Sequence, residues 1–287
     1  MNIVLIQAKG KHLKNENFRE ILCFERAFKI IAPEHNYYIW GQGFTTTFLS
    51  ALKPDVIFVL ENYDRENWIP DLSKFNCLKI FWCIDAHCTF ARQFAFCKKH
   101  KFNIVLHSTA YYVNKFKPVC KNNIWFPNCY DDTLIDFLPN VKKQFDVGFC
   151  GNLIKDRKKW LDTIDRYVKC KRDIFIIGDE MVKAINSYKI HWNKNYSIDL
   201  NYRTFETLGC KTCLLTNQTN RIDDLFTINK HLFTYNTTND CIDKIKFLLN
   251  NEKIRLDSAQ AGYLHVKSEH TYKNRANELL KMIASRI

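Results

Sequence analysis

Short apolar runs alternate with longer helical patterns along this chain, and that rhythm restricts it to parallel α/β architecture. The runs in the first half are Ile3–Gln7, Tyr37–Trp40, Val56–Val59, Lys79–Cys83, Ile104–His107 and Asn123–Trp125. Each is nearly continuous in apolar residues, as strands are when helices cover both faces of their sheet. Helical patterns lie between them at 18–31, 45–52, 88–99 and 110–115. The rhythm then restarts. Strands are expected at Phe145–Cys150, Ile174–Ile177, Ser187–Trp192, Cys213–Thr216 and Leu232–Tyr235. Helices are expected at 157–169, 203–208, 238–249, 252–266 and 272–285. The polar segment Asp136–Lys143, which contains Pro139, reads as a linker. The expected organisation is a domain at 1–140, a second at 141–270, and a C-terminal helix at 271–287 that is free to return to the first. Two Rossmann-like α/β domains facing across a cleft would bring the carboxyl ends of two parallel sheets to one two-substrate site.

Composition excludes several alternatives. Of 287 residues 46% are hydrophobic, with 8 Gly and 6 Pro, so disorder and low complexity are ruled out. No apolar run approaches the roughly 20 residues of a membrane helix. The opening MNIVLIQAKGKH reads as a first strand and not as a signal peptide, which gives a cytoplasmic expectation. The 12 Cys are scattered, mostly within apolar segments, as reduced core thiols are. Cys210 and Cys213 have no second pair at zinc spacing, and Cys83, Cys88 and Cys97 with His87 and His100 match no familiar site, so no metal is expected. Residues 1–140 carry 17 Lys and Arg against 13 Asp and Glu, whereas 141–287 carry 26 against 17. The excess in the second half suits a phosphate-bearing ligand, whether nucleotide, nucleic acid or membrane surface.

The segment 201–216, NYRTFETLGCKTCLLT, concentrates candidate site residues. Asn201, Arg203 and Glu206 precede a Gly-containing turn and a short strand. Gly209 suits the left-handed position that closes a helix. Arg203 and Glu206, three residues apart, share one helical face. A carboxylate accepts hydrogen bonds from vicinal hydroxyls, and a guanidinium presents a planar fork to phosphate. An exposed ion pair is the ordinary alternative. After Phe149-Cys150, Gly151 allows close approach of backbone to a ligand, and Arg157 and Lys158 lie at the start of the following helix, where anions are favoured. A solvated basic helix start would look the same. Gly178 ends another apolar run, as a base or ribose site or as a plain turn. Asp85 and His87 follow the strand ending at Cys83, where polar side chains could bind an acceptor hydroxyl or assist proton transfer, or serve the fold alone. Glu61 has the same kind of position. No G-x-G-x-x-G and no P-loop occurs, which argues against dinucleotide oxidoreductases and P-loop kinases.

On these blocks the second half resembles the CgeB-like group of glycosyltransferases, which is similar to glycosyltransferase family 4 and has the GT-B fold. The resemblance covers about residues 145–282 and rests on FDVGFCGNL with Arg157, on Asn201/Arg203/Phe205/Glu206, on Tyr235, and on His270/Thr271/Tyr272/Arg275. The first half matches loosely, through Trp82 and Asp85 and through Trp125-Phe126-Pro127-Asn128. The resemblance implies transfer of a sugar from a UDP- or GDP-linked donor with retention of configuration. In that reading Glu206 holds the ribose, while Arg203, Arg157 and Lys158 lie near the diphosphate. The family carries an acid eight residues before the ribose Glu; here that position is Ile198, with Asp199 adjacent. The turn also reads Leu208-Gly209-Cys210 where the family has a small residue, Cys and Gly. No Asp-x-Asp tract lies in a suitable loop, which fits a route without metal or other cofactor, the departing charge being met by cations and helix N-termini. The acceptor stays open among saccharide, lipid-linked glycan and protein. Two further readings are a nucleic-acid base glycosyltransferase, which the net charge of +13 permits, and an inactive nucleotide-sugar-binding protein, which Ile198 permits.

Overall fold

The computed structural model describes residues 1–8, 13–62 and 67–286, and they form two compact units, 1–127 with 272–287, and 128–271. In the first unit the elements are β1 (Asn2–Ile6), α1 (Glu20–Ile31), β2 (Asn36–Trp40), α2 (Thr46–Ala51), β3 (Val56–Leu60), β4 (Leu78–Cys83), α3 (Ala86–His100), β5 (Ile104–His107) and β6 (Asn123–Trp125). All six strands are parallel, in the order β2-β1-β3-β4-β5-β6. Every residue of β3 is buried, and its five apolar side chains serve both faces of the sheet. The final helix, Tyr272–Ala284, belongs to this unit. Tyr272 packs edge-on against Phe24 of α1 at 5.0 Å, and Arg275 Nε donates to the Pro127 carbonyl at 2.9 Å. The helix expected at 110–115 is a 3-10 turn at Ala110–Tyr112 followed by further turns. Tyr, Val and Asn are weak helix formers, and Pro118 draws the residue before it toward extended backbone.

The second unit contains β7 (Phe145–Gly151), α4 (Arg157–Ile164), β8 (Cys170–Ile174), α5 (Asp179–Asn186), β9 (Tyr188–Asn193), α6 (Tyr202–Gly209), β10 (Cys213–Asn217), α7 (Ile222–Leu225), β11 (Phe233–Tyr235), α8 (Thr238–Asn250) and α9 (Glu252–Glu269). Its five strands are also parallel, in the order β11-β10-β9-β7-β8. Val147, Phe149, Ile190, Trp192, Leu215 and Tyr235 from four of them form its core with Leu161 and Leu248.

Three details differ from the sequence expectations. The strand expected at 174–177 is Cys170–Ile174, a charged edge strand, and the apolar run Phe175-Ile176-Ile177 lies beyond its end. The helix expected to reach 169 stops at Ile164, because Asp165 turns back to accept from the Cys170 amide at 2.7 Å and to pair with Arg172. Gly209 is the last residue of α6 and not its left-handed terminator; that conformation falls to Lys211, with φ of 52°. Glycine is required at 209 because the Tyr130 ring leaves no room, a Cβ there lying 2.5 Å from Tyr130 Cε2. All 12 Cys are unbridged and ten are buried. Among the described residues, no helix is long and apolar enough to cross a membrane.

Candidate functional site

The second unit gathers its polar side chains at the carboxyl ends of β7, β9 and β10, the end at which open parallel sheets bind ligands. The chain between β9 and α6 is fixed there by amide side chains. Asn193 Nδ2 and Asn195 Nδ2 both donate to Thr216 Oγ1, at 3.0 and 3.1 Å, and Asn195 N donates to Asn217 Oδ1 at 2.6 Å. Tyr235 OH, from β11, donates to the Asn193 carbonyl at 2.8 Å. Asn195 Oδ1 accepts from the backbone amide of Asn201 at 3.1 Å, and the side chains of Asn193 and Asn201 exchange long contacts of 3.3 and 3.4 Å. Asn201 therefore anchors the start of α6. It has β-region backbone and makes no capping bond of its own to the helix.

Arg203 and Glu206 lie in the first two turns of that helix. Arg203 Nε donates to the Cys150 carbonyl at 3.1 Å, and Nη1 donates to Glu206 Oε2 and to the Met181 sulfur of α5. The two side chains are 20% and 15% exposed, so the pair is mostly enclosed but reachable at one edge. Burial works against the Arg203 charge, and the adjoining Glu206 outweighs it and raises the guanidinium above its ordinary value. Glu206 Oε1 has no protein partner among the described residues, which leaves one carboxylate oxygen for a ligand.

Beneath the pair sits a residue that sequence reasoning missed. His191 of β9 is fully buried; its Nε2 accepts from the Cys150 amide at 3.2 Å and its Nδ1 lies 2.5 Å from Thr207 Oγ1. Thr207 Oγ1 in turn donates to the Arg203 carbonyl at 2.5 Å. Because Nε2 accepts, a neutral ring carries its proton on Nδ1. Burial first, then Arg203 and Lys143, hold His191 well below its ordinary pKa. A neutral imidazole thus links the end of β7 to the first turns of α6. A lone His inside an apolar strand was the available signal.

Arg157, the first residue of α4, closes the loop after β7 onto the loop after β9. Its Nε and Nη2 donate to the Lys194 carbonyl at 2.9 and 2.6 Å, and Nη1 donates to the Asn152 carbonyl at 3.1 Å. Beside it is a pocket of about 340 Å³, lined by Lys155, Arg157, Lys194, Asn195, Tyr196 and Asn217 among others. Lys155 Nζ stands 3.8 Å over the Tyr196 ring, and Lys194 pairs with Asp156 at 3.1 Å. Lys194, Asn193 and Asn195 were not singled out from sequence, although WNKN directly after a strand is their trace. Lys158 does not line this pocket; it is 67% exposed and pairs with Asp162 along the outside of α4. Gly151 (φ 156°) and Gly178 (φ 62°) flank the region in conformations that favour glycine, the second immediately before α5.

In the first unit, Asp85 occupies the N-cap of α3 and His87 its first turn, both half-buried. Residues two apart on a helix point away from one another, so they are not neighbours on a common face. What fixes this turn is Glu61, just beyond β3. Glu61 Oε2 accepts from the amides of Ile84 (2.5 Å) and Asp85 (2.7 Å), and Oε1 accepts from Thr89 Oγ1 (3.1 Å) and Gln93 Nε2 (2.6 Å). Burial, and after it Asp85, push the Glu61 carboxyl up to about 8. Among the described residues no group of three or more His, Cys, Asp or Glu side chains is placed to hold a metal ion.

Known proteins share the family and the fold of this chain. The pattern of the glycosyl transferase-like family matches residues 133–281, just over half of the chain. None of the curated protein sequences matches. Among solved structures, HepE of Anabaena in complex with UDP and glucose superimposes with a TM-score of 0.73 at 9% identity, over 99% of each chain. Sucrose-phosphate synthase of Thermosynechococcus elongatus gives 0.71 at 8% identity, over 99% of this chain and 98% of its own. An alpha-glucosyltransferase in complex with UDP-glucose and DNA containing an abasic site gives 0.71 at 10% identity, over 98% and 99%. The family match and the two parallel sheets lead to one conclusion: this chain belongs to the glycosyl transferase-like family and is a glycosyltransferase of GT-B architecture.

Proposed function

We propose that the enzyme is CgeB-like and transfers a sugar from a nucleoside-diphosphate donor to an acceptor hydroxyl without a metal ion and with retention of configuration. One observation carries the reading: Arg203 and Glu206 are fixed together over the carboxyl end of β7, with one Glu206 oxygen left open. That oxygen accepts from the ribose hydroxyls. Arg157, Arg203 and the amides opening α6 meet the diphosphate, whose negative charge grows as its bond to the anomeric carbon breaks. Lys155 and Lys194, which flank Arg157 in the pocket, join this set, and Lys158 adds charge from the helix surface. Gly151 and Gly178 allow backbone to approach the nucleotide, and Asn201 sets the position of α6. Asp85 and His87 are assigned to the acceptor, whose hydroxyl proton must leave as the new glycosidic bond forms. UDP or UDP-glucose in the structures of similar fold favours a uridine donor, with GDP the alternative.

A thermal-shift series with UDP, GDP and their sugars tests the reading, because a ligand that binds only the folded state raises Tm by mass action. At least one uridine or guanosine nucleotide is expected to stabilise the protein, and donor turnover is expected to persist in EDTA. Silence from every nucleotide would count against the assignment.

A second acceptor class has one specific observation in its favour. Residues 86–127 of the first unit contain seven Lys and Arg and no Asp or Glu. Nucleic acid as acceptor requires duplex binding that weakens steeply with salt; binding without that dependence removes the option.

A further inference from the structure

The outer surface of α3 differs from that of an ordinary surface helix. Its exposed residues are Cys88, Phe90, Ala91, Ala95, Lys98 and Lys99, so apolar side chains meet solvent along the helix until two cations close it. A helix that packs one face on a core normally turns polar side chains outward. Phe90 is 37% exposed, and its ring lies 5.8 and 5.4 Å from those of Tyr112 and Phe116. Tyr111, 48% exposed, stands edge-on to Tyr112, and Lys115 Nζ sits 4.2 Å over the Tyr111 ring.

The segment 110–122 is tied to α3 near both of its ends. The Phe90 contacts hold it at one end. At the other, just past the helix, Cys120 Sγ donates to the Phe102 carbonyl at 3.4 Å and Asn122 Nδ2 to the Asn103 carbonyl at 2.9 Å. The exposed Lys115, Lys117 and Lys121 thereby join Lys98, Lys99 and Lys101 around the apolar stretch. Arg92 faces the buried Glu61 at 3.8 Å, whereas these six lysines have no ion-pair partner among the described residues.

Charge and apolar surface together select the partner. A second copy of this chain, docked through the same face, would set cations against cations across a two-fold interface. A nucleic-acid duplex answers the cations with phosphates but presses the Phe90–Ala95 stretch against a charged, hydrated backbone. The boundary between phospholipid headgroups and acyl chains supplies both anionic phosphate for the lysines and hydrocarbon for the apolar side chains, and Tyr favours that depth.

We propose that α3 and the segment 110–122 dock the protein peripherally on a membrane rich in anionic phospholipid. Phe90, Ala91 and Ala95 enter the headgroup boundary, and the surrounding lysines hold lipid phosphates.

Co-sedimentation with vesicles tests the proposal, using phosphatidylglycerol and phosphatidylcholine in equal parts, and phosphatidylcholine alone. The wild type is expected to sediment with the anionic vesicles and far less with the neutral ones. Replacing both lysines, Lys98→Ala with Lys99→Ala, is expected to weaken binding by about tenfold or more. Ala91→Gln with Ala95→Gln keeps the charge and a good helix former, so Tm is expected to hold while binding falls by about fivefold. Ala95→Leu is expected to strengthen binding by about tenfold. Absence of sedimentation with anionic vesicles overturns the proposal. Binding that responds to the lysine changes and to neither change at Ala95 overturns it too, because attraction of charge alone would then explain it. Without vesicle binding, capture of a DNA duplex assigns the surface to nucleic acid, and a dimer in analytical ultracentrifugation that the Gln pair dissolves assigns it to a second copy; either result overturns the proposal.

Discussion

Arg203 and Glu206 could be read as a pair from their spacing alone, whereas what holds them could not. The Cys150 carbonyl, Met181 and the His191–Thr207 link come from elements 16 to 53 residues away or deep in a neighbouring strand, so no local pattern announces them. Glu61 shows the same limit. Its position after a strand marked it only as a carboxylate at the end of a strand, while the structure gives it four donors, the Ile84 and Asp85 amides just before α3 and the Thr89 and Gln93 side chains within it. Removing it leaves the Ile84 and Asp85 amides and the buried Gln93 without their acceptor, and unsatisfied buried groups cost about 1–3 kcal/mol each. Glu61→Ala is accordingly expected to lower unfolding free energy by about 3 kcal/mol in urea titration. Glu61→Gln, which keeps one acceptor oxygen, is expected to lose clearly less. Equal stability of Glu61→Ala and the wild type would show that this network does not hold the turn.

Elements were more legible than residues. Among the described residues, ten of the eleven strands lie within one or two residues of the positions expected from sequence, because parallel strands covered on both faces are nearly unbroken apolar runs. The exception is β8, an edge strand reading Cys-Lys-Arg-Asp-Ile, whose neighbouring run Phe175-Ile176-Ile177 drew the assignment four residues too late. The helix α5 went unread for the same reason, since its start was absorbed into that run's turn. Gly209 was legible as an important glycine, but the reason is Tyr130 and not backbone handedness. The distinction yields a prediction. Alanine in a helix is favoured over glycine by about 1 kcal/mol, yet overpacking a buried contact costs about 1–3 kcal/mol. With Tyr130 Cε2 only 2.5 Å from the new Cβ, the clash should win, and Gly209→Ala is expected to lower Tm. A higher Tm in that variant would show that the Tyr130 ring yields freely.

At the scale of the whole molecule, the buried histidines of the first unit set a pH limit that composition does not reveal. His100 is held at about 4 by burial and then by Lys99, and His107 at about 4 by burial. Both are fully buried, and His100 Nδ1 accepts from the Leu72 amide at 3.1 Å, a bond that protonation removes. Their folded pKa values lie below the unfolded value, so the unfolded chain binds more protons between about pH 6.5 and 4 and stability falls as pH falls through that window. Each contributes a loss of about 2 kcal/mol between pH 7 and 5. Glu61, held at about 8, works the other way over the same window, so the histidine share is read by difference. Chemical denaturation at the two pH values is expected to show His107→Asn losing less stability than the wild type between pH 7 and 5, and an equal change in the two proteins would contradict the account. The central claim remains that Glu206 holds the donor's ribose beside Arg203, and the most direct measurement is calorimetric titration of UDP and GDP into the wild type and Glu206→Ala. The account predicts that the wild type binds one of them and that Glu206→Ala loses at least tenfold in its affinity with Tm in the absence of ligand little changed. Equal affinity in the two proteins would contradict it.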